Sequence, residues 1–321
     1  MHTSRTNKPK IFITMGDPAG IGPEIIVKSL ASPEINGLAN FIIVGDAPLF
    51  EKLISASGLE EPFEVMDPGG DISDTSFGAP TISGAKKAID SLSLAVKLMR
   101  ENKSGSTQAL VTAPLSKEKS AEVLPGFIGH TEFLQEAYGS DLVTMAFVGN
   151  TLKAIPVTRH IPLKDEASNL NEDVILGTLK QVIDARKMIS GKEDPVIGVC
   201  GLNPHSGEGG RIGDEEARII VPAIENAKRV YKNIVGPIPS DVIFYKALKK
   251  DIDIVVAMYH DQCLTAFKMV DFDNGVNMTL GLDDVRTSPD HGTAFDIAGK
   301  GVASPESITH AIRLAIDAVT S

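Results

Sequence analysis

The stretch IFITMGDPAGIGPEIIVKSLA, Ile11–Ala31, decides the fold class. Four residues of strand character, IFIT, lead into a glycine-rich turn, GDPAGIGPE. A helical pattern, EIIVKSLA, begins directly behind it. Pro23 at the start of that pattern and Glu24 in its first turn are helix-start signals, because proline tolerates the first turn and a carboxylate suits the helix dipole. The same unit recurs along the chain. Strand-like runs begin at Phe41 (FIIVGD), Ala109 (ALVTAP), Val143 (VTMAFVG), Leu152 (LKAIPVT), Val196 (VIGVCG) and Asp253 (DIVVAMY). Helical patterns begin at Gly84, Asp173, Asp214 and Ser307. Alternation of this kind predicts an α/β protein with a largely parallel sheet. The runs from Val143 and Leu152, separated by Gly149-Asn150, read as an antiparallel hairpin, so the sheet is expected to be mixed.

At 321 residues the chain exceeds the length at which one core usually divides in two. Aromatic residues are sparse, with no Trp and four Tyr, so the core must be built from Ile, Val, Leu and Ala. A net charge of −11 argues against nucleic acid as a partner, since a phosphate-tracking face needs excess Lys and Arg. Two cysteines, Cys200 and Cys263, form no CxxC and supply neither a disulfide framework nor a thiolate zinc site. The opening MHTSRTNKPK lacks the apolar core of a secretory signal, and no apolar run is long enough to span a bilayer. A cytoplasmic protein is expected.

Three of the seven histidines share one context. His160 follows KAIPVT, His205 follows VIGVCG through LNP, and His260 follows DIVVAM through one Tyr. Each therefore lies just past the carboxyl end of a predicted strand, where open α/β sheets bind ligands. Three imidazoles there could hold a divalent ion, or each could be a hydrogen-bonded loop histidine. Asp261 could orient the imidazole of His260 or be solvated. In NPHSGEGGRIGDEE, Gly207, Gly209 and Gly210 give a loop able to approach a ligand, and Asp214, Glu215 and Glu216 read as a helix N-terminus. GHTEF, Gly129–Phe133, could bind an anion through its backbone with His130 and Thr131, or be an ordinary Thr N-cap. Lys268, Asn277 and Arg286 follow; the two cations could neutralise phosphate or stand as surface charges. The first turn is not a GxGxxG fingerprint, because GIGPEI lacks the third Gly, and the chain has no Walker A loop.

Taken in order, ITMGDPAGIGPEI, GHTEF, RHIPL, GLNPHSGEGG, GDEE, MYHDQ, GVNMTLGL and RTSPDHGTAFDIAGKG resemble the 4-hydroxythreonine-4-phosphate dehydrogenase family of pyridoxal phosphate biosynthesis, from about Lys10 to the last helix. GDPAGIGPE and Asp290–Pro305 are also similar to the first turn and the dinucleotide loop of isopropylmalate and isocitrate dehydrogenases. The resemblance implies two α/β domains around a cleft, isopropylmalate dehydrogenase-like rather than Rossmann. Residues 1–125 with 268–321 would form the cofactor side, and 126–267 the metal, substrate and dimerisation side. It implies His160, His205 and His260 as ligands of one divalent metal per active site, shared across a homodimer interface. Zinc is the first expectation, with cobalt, manganese or magnesium able to serve. It further implies a small phosphorylated amino-acid substrate held by His130, Thr131, Lys268, Asn277 and Arg286. NAD or NADP would lie against Gly292, Thr293 and Ala294, flanked by His291 and Asp296.

The implied reaction is oxidation of 4-phosphooxy-L-threonine at C3 and decarboxylation to 3-amino-2-oxopropyl phosphate. By placement, Asp241, Asp261 and Lys268 are candidates for the proton acceptor. Cys263-Leu264-Thr265 and Asp283-Asp284 depart from the family pattern, where Gly-Leu-Pro and a Pro-aromatic pair are common. Relatives that act on 4-phosphothreonate or cis-dihydrodiol carboxylates are the nearest alternative. A three-histidine metal hydrolase is an alternative from another class, but it leaves DHGTAFDIAGKG unexplained. A catalytically silent ligand-binding protein, tolerated through the Asp283-Asp284 change, is a third reading.

Overall fold

A computed structural model describes residues 8–59, 63–101 and 107–320. Most of the N-terminal stretch read above, residues 1–7, therefore lies outside the described residues. The strands are β1 (Lys10–Thr14), β2 (Asn40–Val44), β3 (Glu64–Met66), β4 (Gln108–Thr112), β5 (Thr144–Val148), β6 (Lys153–Pro156), β7 (Ile197–Cys200), β8 (Ile234–Ile238), β9 (Ile254–Ala257), β10 (Val276–Leu280) and β11 (Val285–Pro289). The chain divides into two compact units, Met1–Asp141 with Leu282–Thr320, and Leu142–Gly281.

In the first unit five parallel strands run in the order β3-β2-β1-β4-β11. β1 is the centre of the chain's opening motif, and its four residues Ile11–Thr14 are buried, as a strand covered on both faces requires. Helix Gly22–Ala31 starts with Pro23 in its first turn, as read from the sequence. The long helix Ile82–Glu101 lays Leu92, Ala95, Val96 and Met99 against Phe12, Val44 and Leu110. Leu134 and Tyr138 of the helix His130–Tyr138 join the same cluster.

In the second unit the order is β10-β5-β6-β9-β7-β8. β5 and β6 form the antiparallel hairpin expected around Gly149-Asn150, and β10 lies antiparallel to β5. The remaining pairs are parallel. The buried Asp271 carboxylate accepts the Thr151 and Leu152 backbone N–H groups, which fixes the hairpin turn. Cys200 and Cys263 are both buried in this unit's core beside Ala257 and Phe267. The Cys263 departure is thus absorbed in apolar packing.

The expected boundaries at 125/126 and 267/268 fall instead at 141/142 and 281/282. Two packing facts move them. The His130 helix buries Leu134 and Tyr138 in the first unit's core. β10 pairs with β5, so the segment carrying Lys268 and Asn277 stays with the second unit.

Candidate active site

The second unit brings two of the three sequence-singled histidines together. Beyond β6, the Val157 and Thr158 N–H groups donate to the Ala257 and Met258 carbonyls at 2.8 and 3.2 Å. The Thr158 hydroxyl lies between the Met258 carbonyl and the buried Glu166 carboxylate. Parallel pairing thus continues past the strand ends, and it delivers His160 and His260 with ring centroids 5.5 Å apart. His260 opens the helix His260–Asp271. Its Nδ1 is 2.7 Å from Asp261 Oδ1, so the carboxylate engages Nδ1 and leaves Nε2 for a ligand.

His205 is exposed, on a loop that leaves β7. Among the described residues, no group of three or more His, Cys, Asp or Glu side chains is arranged to hold a metal. Asp241 is exposed in the first turn of helix Ser240–Leu248. The Lys268 ammonium lies 5.8 Å from the centre of the Phe272 ring, toward the end of its helix. Asn277 is partly buried in β10.

The first unit gathers a different set. Arg286 of β11 is 3% exposed, and its Nη2 and Nε donate to the Thr112 hydroxyl at 2.6 and 3.2 Å. Burial pushes this guanidinium down to about 10, partly offset by the Glu132 carboxylate, so it remains charged at neutral pH. His130 is held well below the usual imidazole range, first by burial and then by the charges of Arg286 and Lys117. It is therefore neutral where Arg286 is cationic. The N-cap of this helix is Gly129, with no side-chain cap. Thr131 is buried one turn position inside, so the reading of GHTEF as a Thr N-cap does not hold.

The segment expected to hold a dinucleotide is tied down at both ends within the first unit. The Ile21 N–H donates to the Thr293 carbonyl at 3.0 Å. Gly20 is required there, because a Cβ would stand 2.9 Å from that same oxygen. At the far end Lys28 donates to the Gly301 and Ala303 carbonyls, and the Ala303 N–H donates to Glu24. Between these anchors Ala294 is in the left-handed region and Asp296 is exposed; just ahead of the first anchor His291 and Gly292 are exposed too. A Cβ at Gly292 would meet nothing within 4 Å, which leaves its backbone approachable.

A model of the family described as pyridoxal phosphate biosynthetic protein PdxA matches residues 38–315. The chain belongs to this family. A 4-hydroxythreonine-4-phosphate dehydrogenase of Desulfosudis oleivorans is 40% identical over 97% of this chain and 96% of its own. A D-threonate 4-phosphate dehydrogenase of Cupriavidus necator is 38% identical over 97% and 98%. The crystal structure of the Klebsiella pneumoniae 4-hydroxythreonine-4-phosphate dehydrogenase superposes with a TM-score of 0.84 at 34% identity, covering 97% of this chain and 100% of that one. The chain is a dehydrogenase of this family, with the mixed, mostly parallel α/β architecture read from its sequence. No described helix is long and apolar enough to cross a membrane.

Several residues at these sites escaped the sequence reading. Lys117 follows β4 and was hidden among ordinary surface lysines. Asp17 lies in the GDPAG turn, fully buried, with Oδ1 accepting the Ala19 N–H and its pKa raised by burial. Gln262 is another, and Glu216 reads in the sequence only as one acid of a helix N-terminus. Their roles depend on burial and side-chain reach, which spacing does not encode.

The Asp283-Asp284 departure also has a structural account. Asp284 accepts from the Tyr138 hydroxyl at 3.0 Å and from Gln108 Nε2 at 3.2 Å. It satisfies a polar pair inside the first unit.

Proposed function

We propose that the chain catalyses NAD-linked, divalent-metal-dependent oxidation of 4-phosphooxy-L-threonine at C3. Decarboxylation to 3-amino-2-oxopropyl phosphate follows, in pyridoxal 5′-phosphate biosynthesis. One observation carries the reading: a buried, charged Arg286 beside a neutral His130, in a chain whose relatives are dehydrogenases named for phosphorylated substrates. A desolvated guanidinium is a strong partner for a phosphoryl group, because its donors are fixed in a planar fork and water competes little. Neutral His130 and the buried Thr131 hydroxyl add donors without adding charge. Lys268 and Asn277 complete the proposed substrate contacts.

The donor chemistry also suits a metal. His160 and His260 face one another, and Asp261 holds the second in a ligand-ready tautomer. His205 is the proposed third ligand, with the site completed between the two subunits of a homodimer. The ion would polarise the substrate hydroxyl and then the ketone, while NAD or NADP would take up the hydride. The open backbone at Gly292, with Thr293, Ala294, His291 and Asp296 around it, fits a dinucleotide that needs close main-chain approach. Since Asp261 is engaged with His260, it serves that imidazole, and Asp241 and Lys268 remain as acceptors for the substrate proton.

NADH formation from 4-phosphooxy-threonine and from D-threonate 4-phosphate, with and without chelator, tests the reading. Turnover of the first substrate, lost on chelation, is expected. Turnover of the second alone would transfer the chain to the D-threonate branch. No reduction of either nucleotide with either substrate would refute the dehydrogenase assignment of the site.

A further inference from the structure

The backbone that presents His205 has an unusual form. His205, Ser206, Gly207, Glu208 and Gly209 have φ values of 52°, 51°, 77°, 43° and 67°. Five successive residues are thus left-handed, and three of them carry side chains that disfavour this region. Such a turn persists only where its surroundings over-determine it.

The surroundings converge on one buried carboxylate. Glu216, 5% exposed, accepts the Leu202 and Asn203 backbone N–H groups at 2.9 and 2.7 Å through Oε1. Its Oε2 accepts Asn203 Nδ2 at 3.0 Å. Asn203 in turn accepts the Ser206 N–H through its carbonyl, at the entry to the left-handed run. A Cβ on Gly207 would stand 2.6 Å from Glu216 Oε2, so the turn closes directly over the carboxylate. Glu216 also opens a π-helical turn, Glu216–Ile220, a distortion that tends to occur at functional sites.

A second tie links this loop to the other histidine pair. Gln262 Oε1 accepts the Met258 N–H at 2.7 Å, and its Nε2 donates to the Gly201 carbonyl at 2.8 Å. One amide therefore bridges the end of β9, two residues before His260, and the end of β7, four residues before His205.

We propose that Glu216 and Gln262 are positioning residues for the histidine site. Glu216 imposes the left-handed turn that aims His205, and Gln262 fixes that turn against the segment bearing His260. Neither contacts the ion; both act by setting where imidazoles stand before it arrives. This rests on the reading of His205 and His260 as metal ligands.

The test uses the full chain, freed of metal and titrated with Zn²⁺ against a chromophoric chelator, with Co²⁺ absorption as a report on coordination. Glu216→Gln and the isosteric, uncharged Gln262→Met are compared with His205→Ala. Both positioning variants should bind Zn²⁺ about 10- to 100-fold more weakly, the usual loss for partners behind the ligands, with an altered Co²⁺ spectrum. Metal-free unfolding midpoints separate this from a merely structural role. A lowered midpoint with parental Zn²⁺ affinity would overturn the proposal. Should Glu216→Gln fail to fold, the more accessible Gln262 variant decides alone. Parental affinity in both variants, with binding lost in His205→Ala, sinks the positioning role but leaves the ligand reading standing. Parental affinity in His205→Ala sinks both.

Discussion

The two units prepare their chemistry in opposite ways. In the first, Arg286 is buried with its guanidinium on Thr112, and Thr131 is buried nearby in sequence to a neutral His130. In the second, His205 is exposed, and His160 and His260 sit on segments that leave their strands. A buried guanidinium carries a desolvation cost that the fold has already met, so the proposed anionic substrate would meet a ready partner. Imidazoles at the solvent edge carry little such cost: the backbone behind them is already set, and the charge they would meet comes only with a ligand. Folding thus prepares the anion pole in advance, whereas a ligand would complete the histidine pole.

The largest expected effect tests the second half of that contrast. His260→Ala should reduce metal-dependent turnover by about 1,000-fold or more, since several kcal/mol of charge stabilisation go with the ion. Its metal-free unfolding free energy should move by no more than about 0.5 kcal/mol, as for other substitutions away from the core. Steady-state rates and chemical denaturation of the metal-free protein measure the two. A large loss of stability would mean that the histidine pole is as much a part of the fold as the anion pole.

Arg286→Met tests the first half. Loss of charge-assisted contacts worth about 3 kcal/mol should lower kcat/KM for the phosphorylated substrate by roughly 100-fold. The ligand-free protein should be no less stable, and could gain, because an apolar side chain of similar volume removes a buried charge. Kinetics paired with thermal unfolding decide it. A strongly destabilised variant would show that Arg286 supports the fold rather than awaiting an anion.

Much of this contrast was legible before the structure. IFIT followed by GDPAGIGPE and a helix predicts β1 and its helix because strand and helix periodicities are local. The hairpin at Gly149-Asn150 was readable for the same reason. Three histidines past strand ends were visible as a set. The domain limits were not, because they depend on Leu134 and Tyr138 reaching a core built largely from earlier residues, and on β10 returning to β5. Nor was Glu216, which reads as one of three acids at a helix start. Its distinction is that it is buried under a left-handed turn, and no local pattern announces φ values of that sign outside glycine.

A smaller effect concerns the place where the chain leaves the family pattern. Asp284→Ala should cost about 1–2 kcal/mol, because Tyr138 and Gln108 lose an acceptor. KM for the phosphorylated substrate should stay within about twofold, well under the roughly 1.4 kcal/mol that a tenfold change requires. Denaturation and steady-state kinetics on one preparation would check both. A large KM change with little loss of stability would instead make this acidic pair a determinant of substrate choice.

The smallest effect separates the two regions by proton linkage. The folded-state pKa of His130 lies well below the ordinary imidazole value of 6.5, chiefly because burial disfavours the charged ring. The unfolded chain therefore binds this proton first as the pH falls. The stability contributed by neutral His130 is complete above about pH 6.5 and is lost progressively as the pH drops below it, toward the folded pKa. A single group can impose a slope of at most about 1.4 kcal/mol per pH unit, and solvent reaching the ring lowers that ceiling. His130→Gln keeps a neutral polar side chain and removes the titration. Its stability should therefore fall less steeply than the parent's between about pH 6.5 and 5.5, the interval in which most carboxylates are still ionised. Parallel slopes in chemical denaturation would mean that His130 is solvated like the exposed histidines, and the contrast between the two poles would lose its electrostatic basis.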